Sequence, residues 1–332
     1  MTTRSGILGI IICCCILLPA VSAHVPIMVE GDTDRLSAAT IIEDPTKSWV
    51  VYARLSGNDT VDYYRFRMEE GDLIRLSLQT PEEGAFAPGM VLMGAGITEA
   101  GAAPPAVTVP GGAGATAIPG TRPDQPFFEP FTPAKSYRTA EVSLAAPETG
   151  DYVVAVYATE GSGPYALAVG TREQYTLTEW LTIPLDVIAI HLWEGQSLAF
   201  ILSPLAAVVA LGVALIAWQR RGALSAFGWT AALAGLLYIG SGAMTLTQLV
   251  IALMGPPLTA AALVTLIAAL IPILLGALML AVGLRRSAGS RTDRIIVAVL
   301  GVLGLATWAG VLAGPVLAVI AAVLPASRKG KT

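Results

Sequence analysis

The sequence predicts an α+β membrane protein: an exported antiparallel β-sandwich followed by an α-helical transmembrane bundle. Three observations predict it. First, no Asp, Glu, Lys or Arg interrupts Leu198–Trp218, Ser225–Leu284 or Ile295–Pro325. Uncharged apolar runs of about 18 residues or more are long enough to cross a bilayer. Second, the preceding region carries short period-two segments separated by turn residues, the pattern of half-buried strands. Third, the N-terminus has the layout of a secretory leader. Arg4 supplies the charge, Ile7–Leu18 the apolar core, Pro19 a break, and Val21-Ser22-Ala23 a small-residue cleavage site. The expected division is a leader over 1–23, a sandwich over 24–175, a juxtamembrane linker over 176–197, a membrane domain over 198–325 and a basic tail over 326–332.

Charge follows the same division. Residues 24–197 hold 23 acidic and 10 basic side chains, whereas 198–332 hold 9 basic and 1 acidic. Such asymmetry marks two compartments. An acidic exported half argues against nucleic acid and anionic lipid as its partners. The chain's mean hydropathy of +0.67 is too high for a soluble protein. All three cysteines, Cys13, Cys14 and Cys15, fall in the leader core. Cleavage would remove disulfides, thiolate catalysis and cysteine-based metal sites together.

The exported half reads as follows. Gly31–Asp34 and Asp44-Pro45-Thr46 are turns. Trp49–Leu55 is rich in β-branched and aromatic residues. Asp62–Met68 alternates, with Tyr64, Phe66 and Met68 on one face and Tyr63, Arg65 and Arg67 on the other. After the Glu69–Asp72 turn, Leu73–Gln79 places Ile74, Leu76 and Leu78 inward and Arg75, Ser77 and Gln79 outward. Met90–Met93, Ala140–Leu144, Asp151–Thr159 and the Tyr165/Leu167/Val169 segment complete seven or so strands. Between them, 94–133 is rich in Pro and Gly and nearly aperiodic. It reads as a long surface loop ending in Phe127, Phe128 and Phe131, which either pin it to the sandwich or form a binding lip.

Three stretches carry a resemblance. They are Asp62-x-Tyr64-x-Phe66-x4-Gly71-x2-Ile74-x-Leu76-x-Leu78, Ala146-Pro147-x2-Gly150-x-Tyr152-x-Val154-x-Val156, and Tyr165-x-Leu167-x-Val169. Together, over about 49–170, they resemble the bacterial and archaeal pre-peptidase C-terminal domain. The resemblance implies a jelly-roll-like sandwich acting as a non-enzymatic accessory or binding module at the cell surface. It brings no catalytic residues, and its motifs are core and turn positions, which transfer fold better than function. No peptidase accompanies the domain: the chain has no His-Glu-x-x-His and no Gly-x-Ser-x-Gly.

Candidate site residues are few. The only histidines are His24 and His191. At a mature terminus, His24 would offer an α-amine and an imidazole to copper, with His191 as the one available second imidazole. Against this stands a frayed terminus with a solvated ring. The Glu69/Glu70/Asp72 and Glu82/Glu83 clusters could offer oxygens to calcium but lack the spacing of a calcium loop, and solvated turns explain them. Asn58, the only asparagine, starts an Asn58-Asp59-Thr60 glycosylation sequon in an inter-strand turn.

In the linker, Trp180, Trp193 and the apolar residues around Pro184 fit an interfacial segment, although Thr176–Ile183 also fits a last strand. The membrane half then gives spans at Leu198–Trp218, about Ser225–Met254 and about Leu258–Leu284. Arg220/Arg221 and Arg285/Arg286/Arg291/Arg294 fall on one side, as the positive-inside rule requires with the sandwich outside the cell membrane. Ile295–Pro325 is one span, giving four in all, or a hairpin broken near Gly310–Pro315, giving five; its arms are short and suit a re-entrant pair. Only the hairpin keeps Arg328, Lys329 and Lys331 inside. No carboxylate, Lys, Arg or His lies mid-span, which argues against a transporter acting alone. The expected partners are the bilayer, a surface polymer or another membrane protein.

Overall fold

The computed structural model describes residues 24–29, 31, 33–57, 60–81, 84–220, 224–285 and 289–324. The leader, Asn58, the Glu82/Glu83 pair, Arg221, Arg286 and the basic tail lie outside the described residues. The chain divides into two compact units, one holding 24–180 with 253–257 and the other 181–252 with 258–324.

Among its described residues the first unit has eleven strands: β1 (Val25–Met28), β2 (Thr40–Ile42), β3 (Trp49–Leu55), β4 (Val61–Met68), β5 (Leu73–Thr80), β6 (Gly89–Gly94), β7 (Gly114–Ile118), β8 (Phe127–Glu129), β9 (Ala134–Ala145), β10 (Gly150–Tyr157) and β11 (Gly163–Val169). One sheet runs β1-β3-β11-β5-β9-β8 and the other β2-β4-β10-β6-β7. The sheets enclose one core. Its layers are Val51, Ala53 and Leu55; Tyr64, Phe66 and Met68; Ile74, Leu76 and Leu78; Tyr152, Val154 and Val156; and Tyr165, Leu167 and Val169. Ile74, Leu76 and Leu78 are the residues that alternation assigned inward, and Tyr64, Phe66 and Met68 share a face as it required, because a period of two commits every second side chain to one side.

Two features depart from the sequence reading. The pairing is not wholly antiparallel: β1 runs parallel to β3, and β2 parallel to β4. Both parallel pairs sit at sheet edges. The stretch 94–133 is also not a plain surface loop. It contains β7 and β8, and it brings Val107 onto the outer face of the five-stranded sheet. There Val61, Tyr63, Val91, Met93, Val153, Ala155 and Tyr157 form a second buried cluster with Val107. The Tyr63 hydroxyl accepts from the Thr108 amide at 2.7 Å. Tyr63, which alternation placed on the face of Arg65 and Arg67, is therefore buried on the far side of its sheet. Glycine makes the β6–β7 pairing possible. A Cβ on Gly114 would strike the Ile97 carbonyl, and one on Gly94 would strike the Tyr152 ring.

The remaining elements are helical: α1 (Leu177–Trp193), α2 (Leu198–Arg220), α3 (Ala226–Ala252), α4 (Ala260–Gly283), α5 (Arg291–Ala306) and α6 (Ala313–Val323). The possible last strand at Thr176–Ile183 is instead the start of α1, because Thr176 and Glu179 form a capping box. The Glu179 amide donates to the Thr176 hydroxyl, and the Thr176 amide donates to the Glu179 carboxylate at 2.7 Å.

Helices α2, α3 and α4 are long and apolar enough to cross a membrane. The pair α3/α4 closes through backbone. Gly228, Gly235 and Gly242 recur every seventh residue, as do Ala269, Gly276 and Gly283. They meet in antiparallel register: a Cβ on Gly235 would lie 2.7 Å from the Gly276 oxygen, and one on Gly276 would lie 2.5 Å from the Gly235 oxygen. Gly228 faces Gly283, and Gly242 faces Ala269, in the same way. Small residues of this kind let helices approach where lipid removes the hydrophobic drive between them.

The last apolar block is two helices. The chain breaks at 307–312, where Trp308, Gly310, Val311 and Leu312 all have positive φ. Arg294, near the start of α5, donates to the Ala322 and Leu324 carbonyls at the end of α6, so the two arms lie antiparallel.

Candidate functional site: a groove on the six-stranded sheet

The outward row of β5, Arg75, Ser77 and Gln79, meets the outward residues of β9. Strict alternation along β9 would turn Arg138 inward if Glu141 points out. The register slips by one residue opposite Leu78/Gln79, so that Ala140 pairs with Leu78 while Arg138 pairs with Gln79. Thr139 is the extra residue; it is buried beside Ala140, and its hydroxyl donates to the Leu78 carbonyl. The bulge re-aims Arg138 onto the face that carries Glu141 and Gln79. Arg75 and Arg138 then both reach Glu141 at 3.4 Å, one on each carboxylate oxygen. The Arg138 guanidinium also lies 5.1 Å from the centre of the Phe127 ring.

These residues line a depression of about 290 Å³, completed by His24, Ser48, Val50, Glu129, Ala168, Gly170 and Thr171. His24 leads into β1, which pairs in parallel with β3 from Val25 onward. Its Nδ1 shares a hydrogen bond with the Ser48 hydroxyl, and burial holds its imidazole below the ordinary histidine range. Ser48 is only 2% exposed, and the contact joins the residue before β1 to the residue before β3.

His24 belongs to the sandwich unit and His191 to the helical unit. His191 is 2% exposed, and its Nδ1 bonds the Glu194 carboxylate at 2.8 Å. Among the described residues no group of three or more His, Cys, Asp or Glu is placed to hold a metal ion. Asp72 closes its own turn by accepting from the Glu69 amide, while the Glu70 amide donates to Thr149. Of the three aromatics at the loop's end, Phe128 is buried and Phe127 lines the groove.

A second, more open depression lies on the opposite sheet, lined by Asp34, Arg35, Leu36, Ser37, Tyr63, Arg65, Ala106 and Thr108. Arg65 is already engaged there by the Leu36 carbonyl at 3.3 Å.

One end of the groove adjoins the chain's exit toward α1. Next to Ser48, Lys47 is 7% exposed, stacks 4.2 Å from the Trp49 ring centre and pairs with Glu179 at 2.6 Å. Burial alone would raise the Glu179 carboxyl, but hydrogen bonds from Lys47 and Thr176 hold it below the usual carboxylate range. Sequence reading missed both this pair and the bulge. Lys47 and Glu179 are 132 residues apart, so no local pattern pairs them. No family model matches the chain, and neither does any curated protein.

Proposed function

We propose that the protein is a membrane-anchored binding module of the cell surface. It presents its sandwich outside the membrane, and the groove on the six-stranded sheet takes the ligand. The observation that carries this reading is the bulge in β9, which gathers Arg138 onto the same face as Glu141, Gln79, Ser77 and Phe127. Bulges that re-aim a side chain are built features and tend to accompany working surfaces.

The groove's chemistry favours an uncharged polar ligand. Its two arginines share one carboxylate, Glu141, and a second carboxylate in the lining, Glu129, balances the remaining positive charge. Gln79 and Ser77 offer amide and hydroxyl groups, and Phe127 supplies an apolar wall. A hydroxylated polymer such as a surface polysaccharide meets all of these, and such a module is non-enzymatic.

The strand order supports the pre-peptidase-like reading. The order β3-β11-β5-β9 opposite β4-β10-β6-β7, with β1, β2 and β8 added at the edges, is the order that a double-Greek-key jelly roll would have. The three long apolar helices supply the anchor.

The test is retention on immobilised polysaccharides of the full-length protein in lipid nanodiscs, beside Gln79→Ala and Phe127→Ala. The reading expects retention on at least one neutral polymer and a loss of at least about tenfold in each variant, the effect of removing one buried polar or aromatic contact. Retention unchanged in both variants would refute the groove.

A further inference from the structure

We infer that Arg291–Val323 is a re-entrant hairpin that enters the membrane from the side of the arginine loops, turns back near mid-depth and leaves on the same side. The inference rests on the membrane reading of α2–α4 but not on the groove.

Arm length comes first. At 1.5 Å per residue, α5 reaches about 24 Å and α6 about 16 Å, both short of the roughly 30 Å hydrocarbon layer. The level of the tip comes second. The Gly310 amide donates to the Ser241 hydroxyl at 2.8 Å. Gly304, Gly310 and Gly314 form a cradle around the Tyr238 ring, where a Cβ on Gly314 would lie 2.5 Å from the ring. The Tyr238 hydroxyl donates to the Leu300 carbonyl at 3.2 Å. Ser241 stands eleven residues before the end of α3 at Ala252, so the tip stops about 16 Å short of that end.

The base comes third. Arg294 ties α5 to the last carbonyls of α6 and also donates to Gly289. Asp293 pairs with Arg285 at 2.7 Å and completes a capping box with Ser290. The two ends of the hairpin thus meet beside the arginine loop.

A non-helical turn at membrane depth needs its polar groups covered by protein. The tip meets that need internally. The Val311 amide bonds the Trp308 carbonyl, Ala313 bonds Val311, Gly314 bonds Gly310, and Ala309 is fully buried. Re-entry also places all nine basic residues of the membrane half on one side, whereas a single crossing would put Arg328, Lys329 and Lys331 on the other.

Cysteine accessibility tests this in the full-length chain with Cys13, Cys14 and Cys15 replaced by Ala. A membrane-impermeant maleimide is applied to intact cells and to permeabilised cells. Glu99→Cys, in the sandwich, and Ala223→Cys, in the first arginine loop, mark the two sides. Ser327→Cys and Ala326→Cys report the chain after the hairpin. Re-entry expects both to label with Ala223→Cys, only after permeabilisation, at least about tenfold above the intact-cell level. Labelling of either in intact cells, alongside Glu99→Cys, would overturn it. Glu99→Cys tests export separately, since only the match between the tail and Ala223→Cys decides re-entry.

Discussion

The two units solve the same packing problem in opposite ways. The sandwich fills its core with large side chains: Tyr63, Tyr64, Phe66, Tyr152 and Tyr165 are all nearly or fully buried. The helical unit does the reverse at its central seam, where Gly228, Gly235 and Gly242 press against Gly283, Gly276 and Ala269. The difference follows from the solvent. In water, removing apolar surface is the main drive, so large rings are the most useful filling. In lipid that drive is absent between helices, and close backbone contact takes its place. Polar groups follow the same logic. Tyr165 donates to Asp62 at 2.6 Å and meets the Tyr64 hydroxyl, and Thr33 donates to Asp62 at 2.8 Å, which satisfies a buried cluster with side chains. In the helices, Ser241, Thr245, Thr247 and Thr265 donate to carbonyls three or four residues back in their own turns.

This contrast can be broken in order of expected effect. Leu76→Ala should cost the sandwich about 2–5 kcal/mol, the range for deleting a buried leucine, and leave the helical transition in place. Separate calorimetric transitions in detergent would check it. Gly235→Leu should cost the helical unit about 1–3 kcal/mol or more through overpacking against the Gly276 carbonyl. Its sandwich transition should stay within error of wild type. A large loss in both units from either change would show that they do not unfold independently.

Lys47→Met tests the Lys47–Glu179 pair within the sandwich unit. It strands Glu179, and the expected cost is about 2 kcal/mol, below that of a fully buried pair because the Glu179 side chain keeps 22% exposure. The sign with pH is set by the depressed Glu179 carboxyl. Its stabilisation is present above the ordinary carboxylate range and is lost as pH falls through the folded value, so wild type and Lys47→Met should converge in acid. Tyr238→Phe, which removes only the hydroxyl bond to Leu300, should cost about 1 kcal/mol, confined to the helical transition.

The smallest effect belongs to His24. Its folded value is depressed, so the unfolded chain takes up the proton first as pH drops below the ordinary value of about 6.5. Stability should therefore fall from about pH 6.5 down to the folded value and then level, and His24→Gln should flatten that segment of the curve. Melting temperature against pH for the two proteins reads it directly.

Legibility in the sequence tracks the range of the interaction. The inward faces of β4, β5, β10 and β11 were readable because alternation is local. The long apolar helices were readable for the same reason. The single extra residue at Thr139 leaves no trace in composition, so the face of Arg138 was not readable. The place of β1 comes from a parallel pairing with Trp49 and its neighbours, about two dozen residues away, which no local pattern announces. Gly and Pro in 94–133 hide periodicity, so its cover over Tyr63 was read as a loop. The glycines around Gly235 were noticeable, but their partners on α4 depend on helix register. The hairpin was readable as one of two options from charge alone, and its break at 307–312 is set by contacts with Tyr238 and Ser241.

The measurement that tests the central claim most directly compares the sandwich's two faces. Polysaccharide binding by the full-length protein would be titrated for Gln79→Ala, in the groove, and for Arg65→Ala, in the depression on the opposite sheet. The account predicts that affinity falls at least about tenfold in the first, the scale of one lost buried polar contact, and stays at the wild-type value in the second. Loss in Arg65→Ala with binding kept in Gln79→Ala would contradict it and move the working face to the other sheet.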